Sequence, residues 1–523
     1  MIALLAQIDS QVGVREVAPS SSIAAPSVQW FMLAPILVLF GGALVAMLVG
    51  SLAPRRFARG IGATTAMVSA GVALAWLVPI WRRLGADGSG PISTVAGTVA
   101  IDRFSVFMTA LMCVAVILVS LLLVSYLVRE DLEAVELFAL MLLAACGGSV
   151  IVSANDLIVL FVAIEILSLA SYVMVAMHRH RLSSQEAGFK YFVLGGFASA
   201  VLLYGIALVY GSTGSTNLLR VTTFLSAHLL TDNSMLLGGI ALLLVGFGFK
   251  VGAAPFHMWT PDVYQGAPTP VTAFMATAVK VAAFGGLLRV FVVGLASYVD
   301  YWRPLVALLA VLSLLVGSIA AVRQTNVKRM LAYSSIAHAG FMLVGVATGT
   351  AKSVSAVLFY LAAYTVMAIG TFAIVTALGR RGDGKHSLDD YRGLGRARPG
   401  LAFVFAVFLF AQAGTPFTAG FLAKFGVIGA AVDQHLWWLG AVAMLSTVIS
   451  AYLYLRIVIA LYFVGEASDE VVDTPRLGLP ATLVIGCCLI LTIAWGIVPR
   501  PIEKLSNSAT IELVASPDAA AGN

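Results

Sequence analysis

The chain has 523 residues, 60% of them hydrophobic and only 11% charged, against roughly a quarter charged for soluble domains, and the apolar residues fall in blocks rather than alternating. That pattern excludes a soluble globular fold and predicts an all-α, polytopic membrane protein. The 31 Lys and Arg against 25 Asp and Glu leave a net charge of +6, which in a membrane protein mostly fixes orientation; no basic patch interleaved with aromatics is present, so the lipid bilayer is an expected partner and nucleic acid is not.

The segment from Met1 to Ser27 lacks a basic stretch followed by an apolar core and a small-residue cleavage site, so no removed signal peptide is expected, and the first span serves as the insertion signal. A bilayer core needs about 20 apolar residues in helical form, because unsatisfied backbone groups are intolerable in hydrocarbon. About fourteen runs meet that need. They lie near 30–53, 61–81, 104–128, 135–153, 156–177, 187–211, 234–254, 271–295, 302–322, 330–348, 353–379, 400–431, 436–464 and 479–499. Residues 1–29 and 500–523 are left as terminal segments. The loops Pro54–Arg59, His178–Arg181, Arg323–Arg329 and Arg380–Arg398 are richer in Lys and Arg than the opposite set, which puts them in the cytoplasm and both termini outside it, in a bacterial plasma membrane.

Two spans are interrupted. The seventh runs into Lys250, Gly252 and Pro255, and the twelfth contains Gly414 and Pro416 amid continuous apolar sequence. Such breaks at membrane depth are tolerated where unwound backbone faces protein or a polar cavity, and a pair of them points to inverted repeats around a central ion site. Spans one to three then occupy 30–128, the two five-helix repeats 135–295 (helices 4–8) and 302–464 (helices 9–13), and the last span 479–499. Ordinary Gly and Pro kinks are the simpler alternative.

Charges lie inside these spans. Glu165 is nine residues into the fifth, about 14 Å deep at 1.5 Å per residue, and Lys280 is nine residues beyond Val271 in the eighth. Lys250 precedes the first break, and Lys424 follows Pro416 by eight residues. Each buried charge costs roughly 2.5 to 3.5 kcal/mol on insertion scales, and a row of titratable groups through a membrane is what proton conduction requires. A structural ion pair between Glu165 and a lysine would account for that pair and leave two lysines unexplained. A carboxylate beside a buried lysine raises its proton affinity, so Glu165 and Lys250 within ion-pair reach would form a gate. Secondary candidates are Lys190, after the capping-box pattern Ser183 to Glu186, Lys328, and His338, about 15 Å beyond Lys328 along the tenth span, with Tyr333, Ser334 and Ser335 near it. For Lys190 and Lys328 a positive-inside anchor is the competing explanation.

The four cysteines form no C-x2-C pair, and no metal or redox centre is indicated in the chain itself.

The stretch FKVGAAPFHMWTPDVYQGAPTPVT from Phe249 to Thr272 resembles the helix-seven signature of the antiporter-like subunits of respiratory complex I, the proton-pumping NADH:quinone oxidoreductase, in its N-type form. The stretch from Lys328 to His338 is similar to the family's helix-ten motif, and Gly414 to Phe425 to its broken helix twelve. The resemblance covers about residues 30 to 500. It implies that Glu165, Lys250, Lys280 and Lys424 are the family's glutamate and three lysines of proton translocation, and that Lys190, Lys328 and His338 lie on the same central axis. It also implies that NADH, FMN, iron-sulfur clusters and quinone belong to partner subunits, and that the neighbours of this chain are other complex I subunits, especially the adjacent M-type subunit and the small membrane subunits. The chain ends soon after Pro501, whereas the L type is longer, and the M type typically carries a glutamate where Lys424 stands. Multisubunit cation/proton antiporters share the charges and are the alternative class, together with an M-type subunit.

Overall fold

The computed structural model describes residues 28–85, 90–132, 134–228, 233–463 and 478–519, so the N-terminal segment lies almost wholly outside the described residues. Helices dominate. In chain order they are α1 (Trp30–Leu52), α2 (Arg55–Leu84), α3 (Arg103–Glu130), α4 (Glu136–Ser153), α5 (Leu157–Ala176), α6 (Leu182–Thr213) and the short α7 (Leu218–Ala227). There follow α8 (Ser234–Val251), the short α9 (Trp259–Gly266), α10 (Thr269–Gly294), α11 (Val299–Val322), α12 (Val327–Thr348) and α13 (Ala351–Leu378). The last are α14 (Pro399–Ala413), α15 (Ala419–Asp433), α16 (Trp437–Tyr462), α17 (Leu479–Ile497) and α18 (Arg500–Ala519).

Among the described residues thirteen helices are long and apolar enough to cross a membrane. The twelfth expected span is the exception because it is divided into the half-helices α14 and α15, each of 15 residues. Several features had no counterpart in the sequence reading: the short helices α7 and α9, an antiparallel hairpin of Ile92–Thr94 and Val99–Ile101, and α18, a helix where a tail was expected. α18 packs against α3 and α13, with Ser506 and Asn507 meeting Ser355.

Side chains at the boundaries explain where several helices start. Asp102 caps α3 in a reciprocal box with Ser105, Asp156 accepts from the first amides of α5, and Thr350 and Ser353 form a second box on α13. The box expected at Ser183 to Glu186 does not form: α6 already begins at Leu182, and Ser184 instead donates to the Val175 carbonyl at the end of α5, 2.6 Å away.

α10, α12 and α13 lie almost wholly inside the bundle, while α1, α2 and α17 expose most of their apolar surface. Without a hydrophobic force between helices in lipid, close packing relies on small residues. A Cβ added at Gly317 of α11 would stand 2.5 Å from the Ala337 amide nitrogen of α12, and one at Gly340 would stand 2.8 Å from that of Leu314. The two helices therefore touch backbone to backbone and hold α12 fixed in the core.

Candidate functional site

Both breaks are built the same way. α8 ends with Gly252 left-handed at φ 74°, the Ala253 amide bonded back to Gly248 and that of Gly252 to Phe249. α14 ends with Gly414 at φ 95°, Thr415 bonded to Phe410 and Gly414 to Ala411. These paired bonds are the Schellman arrangement, which leaves other carbonyls of the last turn aimed past the helix end. At the first break the indole of Trp259 adds a second donor to the Phe249 carbonyl, at 3.0 Å, and Ser313 accepts from the Ala254 amide at 2.9 Å. Thr260 Oγ1, buried beside Gly252, has no hydrogen-bond partner among the described residues.

Lys250 occupies the last turn of α8, 4% exposed, where the negative end of the helix dipole favours its ammonium form. Its Nζ donates to Ser168 Oγ at 2.6 Å and to Tyr172 OH at 3.4 Å, both on α5. Glu165, on the same face of α5 one turn before Ser168, accepts from Ser199 of α6. The expected direct ion pair between Glu165 and Lys250 is absent: Lys250 meets Ser168, one turn beyond Glu165 on the same face of α5, because a lysine fixed at the end of α8 reaches α5 one turn further along.

Lys280 lies in the middle of α10, directly after a π-helical stretch, Met275–Val279, a widening that recurs at functional positions in helices. It donates to the Ser335 carbonyl of α12 and sits 5.7 Å over the ring of Tyr364. His338, one turn on from Ser335, has Tyr360 OH 2.7 Å from Nδ1 and Tyr454 OH 3.2 Å from Nε2, and its ring lies 4.8 Å from that of Tyr364. Beyond it Lys424 lies 4.7 Å over Phe341 and donates to the Ala413 carbonyl, 2.9 Å away at the end of α14. The position in α14 that matches Lys250 in the Schellman turn is Gln412, bonded to Thr371 at 2.6 Å; its cation comes instead from the facing half-helix.

Lys250, Lys280, His338 and Lys424 are thus held by hydroxyls, carbonyls and rings, and none of the three lysines has a carboxylate within 4.0 Å. A structural buried charge in the same protein looks different. Arg289 binds both oxygens of Asp102 at 2.9 Å and the Val152 carbonyl at 2.7 Å, a fully paired tie between α10 and α3.

The secondary candidates divide. Lys190 is part-exposed and bridges Glu186 and Asp262, away from the buried row. Lys328 is fully buried at the start of α12, donating to the Ala267 carbonyl at 2.7 Å and to Asp383 at 3.4 Å. Ser334 joins Tyr454 at 2.6 Å, whereas Tyr333 turns away toward His257.

Asp383 was not anticipated. Its carboxylate, in the loop between α13 and α14, accepts from Thr269 at the start of α10, from His386 at 2.8 Å and from Arg181 at 3.3 Å. Burial alone would push this carboxyl up, yet the Lys328 ammonium, His386 and Arg181 together hold it well below the usual carboxylate range. The aromatic hydroxyls around His338 were missed too, since tyrosines on α13 and α16 meet α12 only in the folded bundle. Among the described residues no group of three His, Cys, Asp or Glu is placed to hold a metal.

Comparison with known proteins places the chain. Residues 154–450 match the family described as NADH:quinone oxidoreductase/Mrp antiporter, transmembrane. NADH-quinone oxidoreductase subunit N of Mycobacterium tuberculosis is 40% identical over 93% of this chain and 99% of its own, and that of Trichlorobacter lovleyi is 40% identical over 83% and 90%. A chain of respiratory complex I from Thermus thermophilus is similar at a TM-score of 0.75 with 34% identity, covering 90% of this chain and 98% of that one. A chain of the Mrp complex from Dietzia shares the fold at a TM-score of 0.79 with 22% identity, over 93% and 98%.

Proposed function

This chain belongs to the NADH:quinone oxidoreductase/Mrp antiporter transmembrane family, in its subunit N branch, and on that premise we propose that it moves protons along the row Lys250, Lys280, His338, Lys424 as a membrane subunit of NADH:quinone oxidoreductase. Electron transfer is done by other subunits, which hold the flavin, the iron-sulfur clusters and the quinone.

The observation that carries the reading is a set of three buried ammonium groups without carboxylate partners, spaced along the core by hydroxyls and one imidazole. A fully paired charge is fixed; a cation held by neutral dipoles can lose its proton and regain it. Glu165, one helical turn from the Ser168 that holds Lys250, acts on it through space rather than by contact. The C-terminal carbonyls at the two breaks stabilise the cation when it is present, Lys250 on α8 and Lys424 against α14. Polar groups at each break give water a place to collect, which continues the path to the two sides. The units 135–295 and 302–464 act as inverted repeats around this row, a reading supported by the matching Schellman ends at Gly252 and Gly414. The chain lies in the bacterial plasma membrane with both termini outside the cytoplasm, beside the M-type subunit and the small membrane subunits.

Lys280→Met tests the proposal, since an apolar side chain of similar length removes the proton carrier and also the cost of burying it. In vesicles containing the whole complex, proton pumping and quinone reduction should both fall while the complex assembles in normal amount. Normal pumping by that variant would end the central-row reading.

A further inference from the structure

A cavity of about 510 Å³ opens between the two halves on the face that carries the loops 178–181, 323–329 and 380–398. Charged residues form its rim: Asp262 of α9 receives Arg329 of α12 at 2.6 Å and Lys190 of α6 at 3.1 Å. Behind the rim, side-chain exposure falls from 37% at Asp262 through 15% at Arg181 to 3% at His386 and 0% at Asp383 and Lys328. These last three touch in series, His386 Nε2 to Asp383 Oδ1 at 2.8 Å and Asp383 Oδ2 to Lys328 Nζ at 3.4 Å. Seven residues further along α12, on the same face and about 10.5 Å away, stands Ser335, whose carbonyl holds Lys280. Tyr264 OH lies 3.4 Å from the Ser335 hydroxyl between these points.

We propose that this cavity is the mouth of the proton path, and that His386, Asp383 and Lys328 carry protons from it to Lys280. The assignment rests on the proton-translocation reading above and adds the entrance that reading lacks. A proton from cavity water binds the imidazole of His386, which releases one from Nε2 to Asp383. Neutral Asp383 no longer balances the buried Lys328 ammonium, so Lys328 gives a proton inward to Lys280, once Lys280 has passed its own toward His338, and takes the one on Asp383. One proton has then moved from the cavity to the core, and His386 is left with its proton on Nδ1; a ring flip, or loss of that proton to water with uptake at Nε2, resets it. Facing the trio are Arg181 from the loop after α5, Tyr126, Arg129 and Glu130 from α3, and Tyr391, whose OH lies 3.2 Å from His386 Nδ1. Glu130 also accepts from the Gly382 amide at 2.6 Å, which anchors the loop from the other side.

The test uses membrane vesicles holding the whole complex, with its amount read from bound flavin. His386→Gly should lower pumping and quinone reduction by about fivefold at alkaline pH and less at mildly acidic pH, where hydronium is plentiful enough to stand in for the imidazole as proton donor; added imidazole should restore about half of the loss. Wild-type rates across the pH range, or no response to imidazole, would overturn the proposal. Should the glycine variant fail to assemble, His386→Gln keeps the shape without the proton chemistry, and a loss that does not deepen with rising pH overturns it equally. Lys280→Met run in parallel separates the two claims. If it stops pumping while the His386 variants pump normally, only the entrance is wrong; if it too pumps normally, the underlying reading is wrong.

Discussion

At Lys250 the ammonium is held by two hydroxyls and the end of a helix rather than by a carboxylate. That choice matters for a proton carrier. A contact pair with Glu165 in low dielectric would fix both charges, whereas a carboxylate one helical turn away biases the lysine without locking it. Lys250→Ala should therefore remove the carrier and leave Ser168 and Tyr172 to pair with water. We expect quinone reduction and proton pumping to fall together by about tenfold, a barrier change of about 1.4 kcal/mol, because a coupled pump that cannot move protons also stalls its redox reaction. Unchanged rates of both in vesicles would show that Lys250 has a structural role only. Asp383 shows the opposite arrangement, a carboxylate with four partners at the foot of α10. It holds the loop after α13 against the core, and its neighbours keep it ionised at rest, so its neutral form is only a passing state of proton transfer.

At the scale of the helix, the breaks decide where the cations can sit. A continuous twelfth helix would satisfy the Ala413 carbonyl internally and offer Lys424 no acceptor; the left-handed turn at Gly414 frees it. Gly414 is required twice over, since an L-residue at φ 95° is strained and a Cβ there would stand 3.1 Å from Lys424 Cδ. Gly414→Ala should cost roughly 1 to 2 kcal/mol and displace the lysine, lowering both thermal stability and pumping. Gly429→Ala, in the facing half-helix α15 with open space around it, is the control and should change neither. Equal melting temperatures and rates for the two variants would contradict this account of the break. The π-helical turn before Lys280 belongs to the same class of device, a local departure from regular helix beside a working residue.

For the whole molecule, burial grades from the outer helices α1, α2 and α17 to the enclosed α10, α12 and α13, the first two of which carry Lys280 and His338. The proposed row needs subunits that supply the driving reaction. Extraction in mild detergent should bring flavin and iron-sulfur subunits with it; recovery of the chain solely with subunits lacking both would favour a cation/proton antiporter assembly instead.

Hydrophobic runs of bilayer length and the cost of ionisable groups inside them are local properties, so the sequence alone located the apolar helices, the two breaks and Lys250, Lys280 and Lys424 as charges within them. Direction on a helix face and partners across helices are not local. The ladder of tyrosines about His338 joins α12 to α13 and α16, and the Asp383 cluster joins positions 114 residues apart at Thr269. Only the packed bundle decided that Lys250 meets Ser168 instead of Glu165, that Lys190 stays at a part-exposed rim, and that Lys328 is buried behind a cavity, because one turn of helix or one loop closure is enough to change which side chains meet.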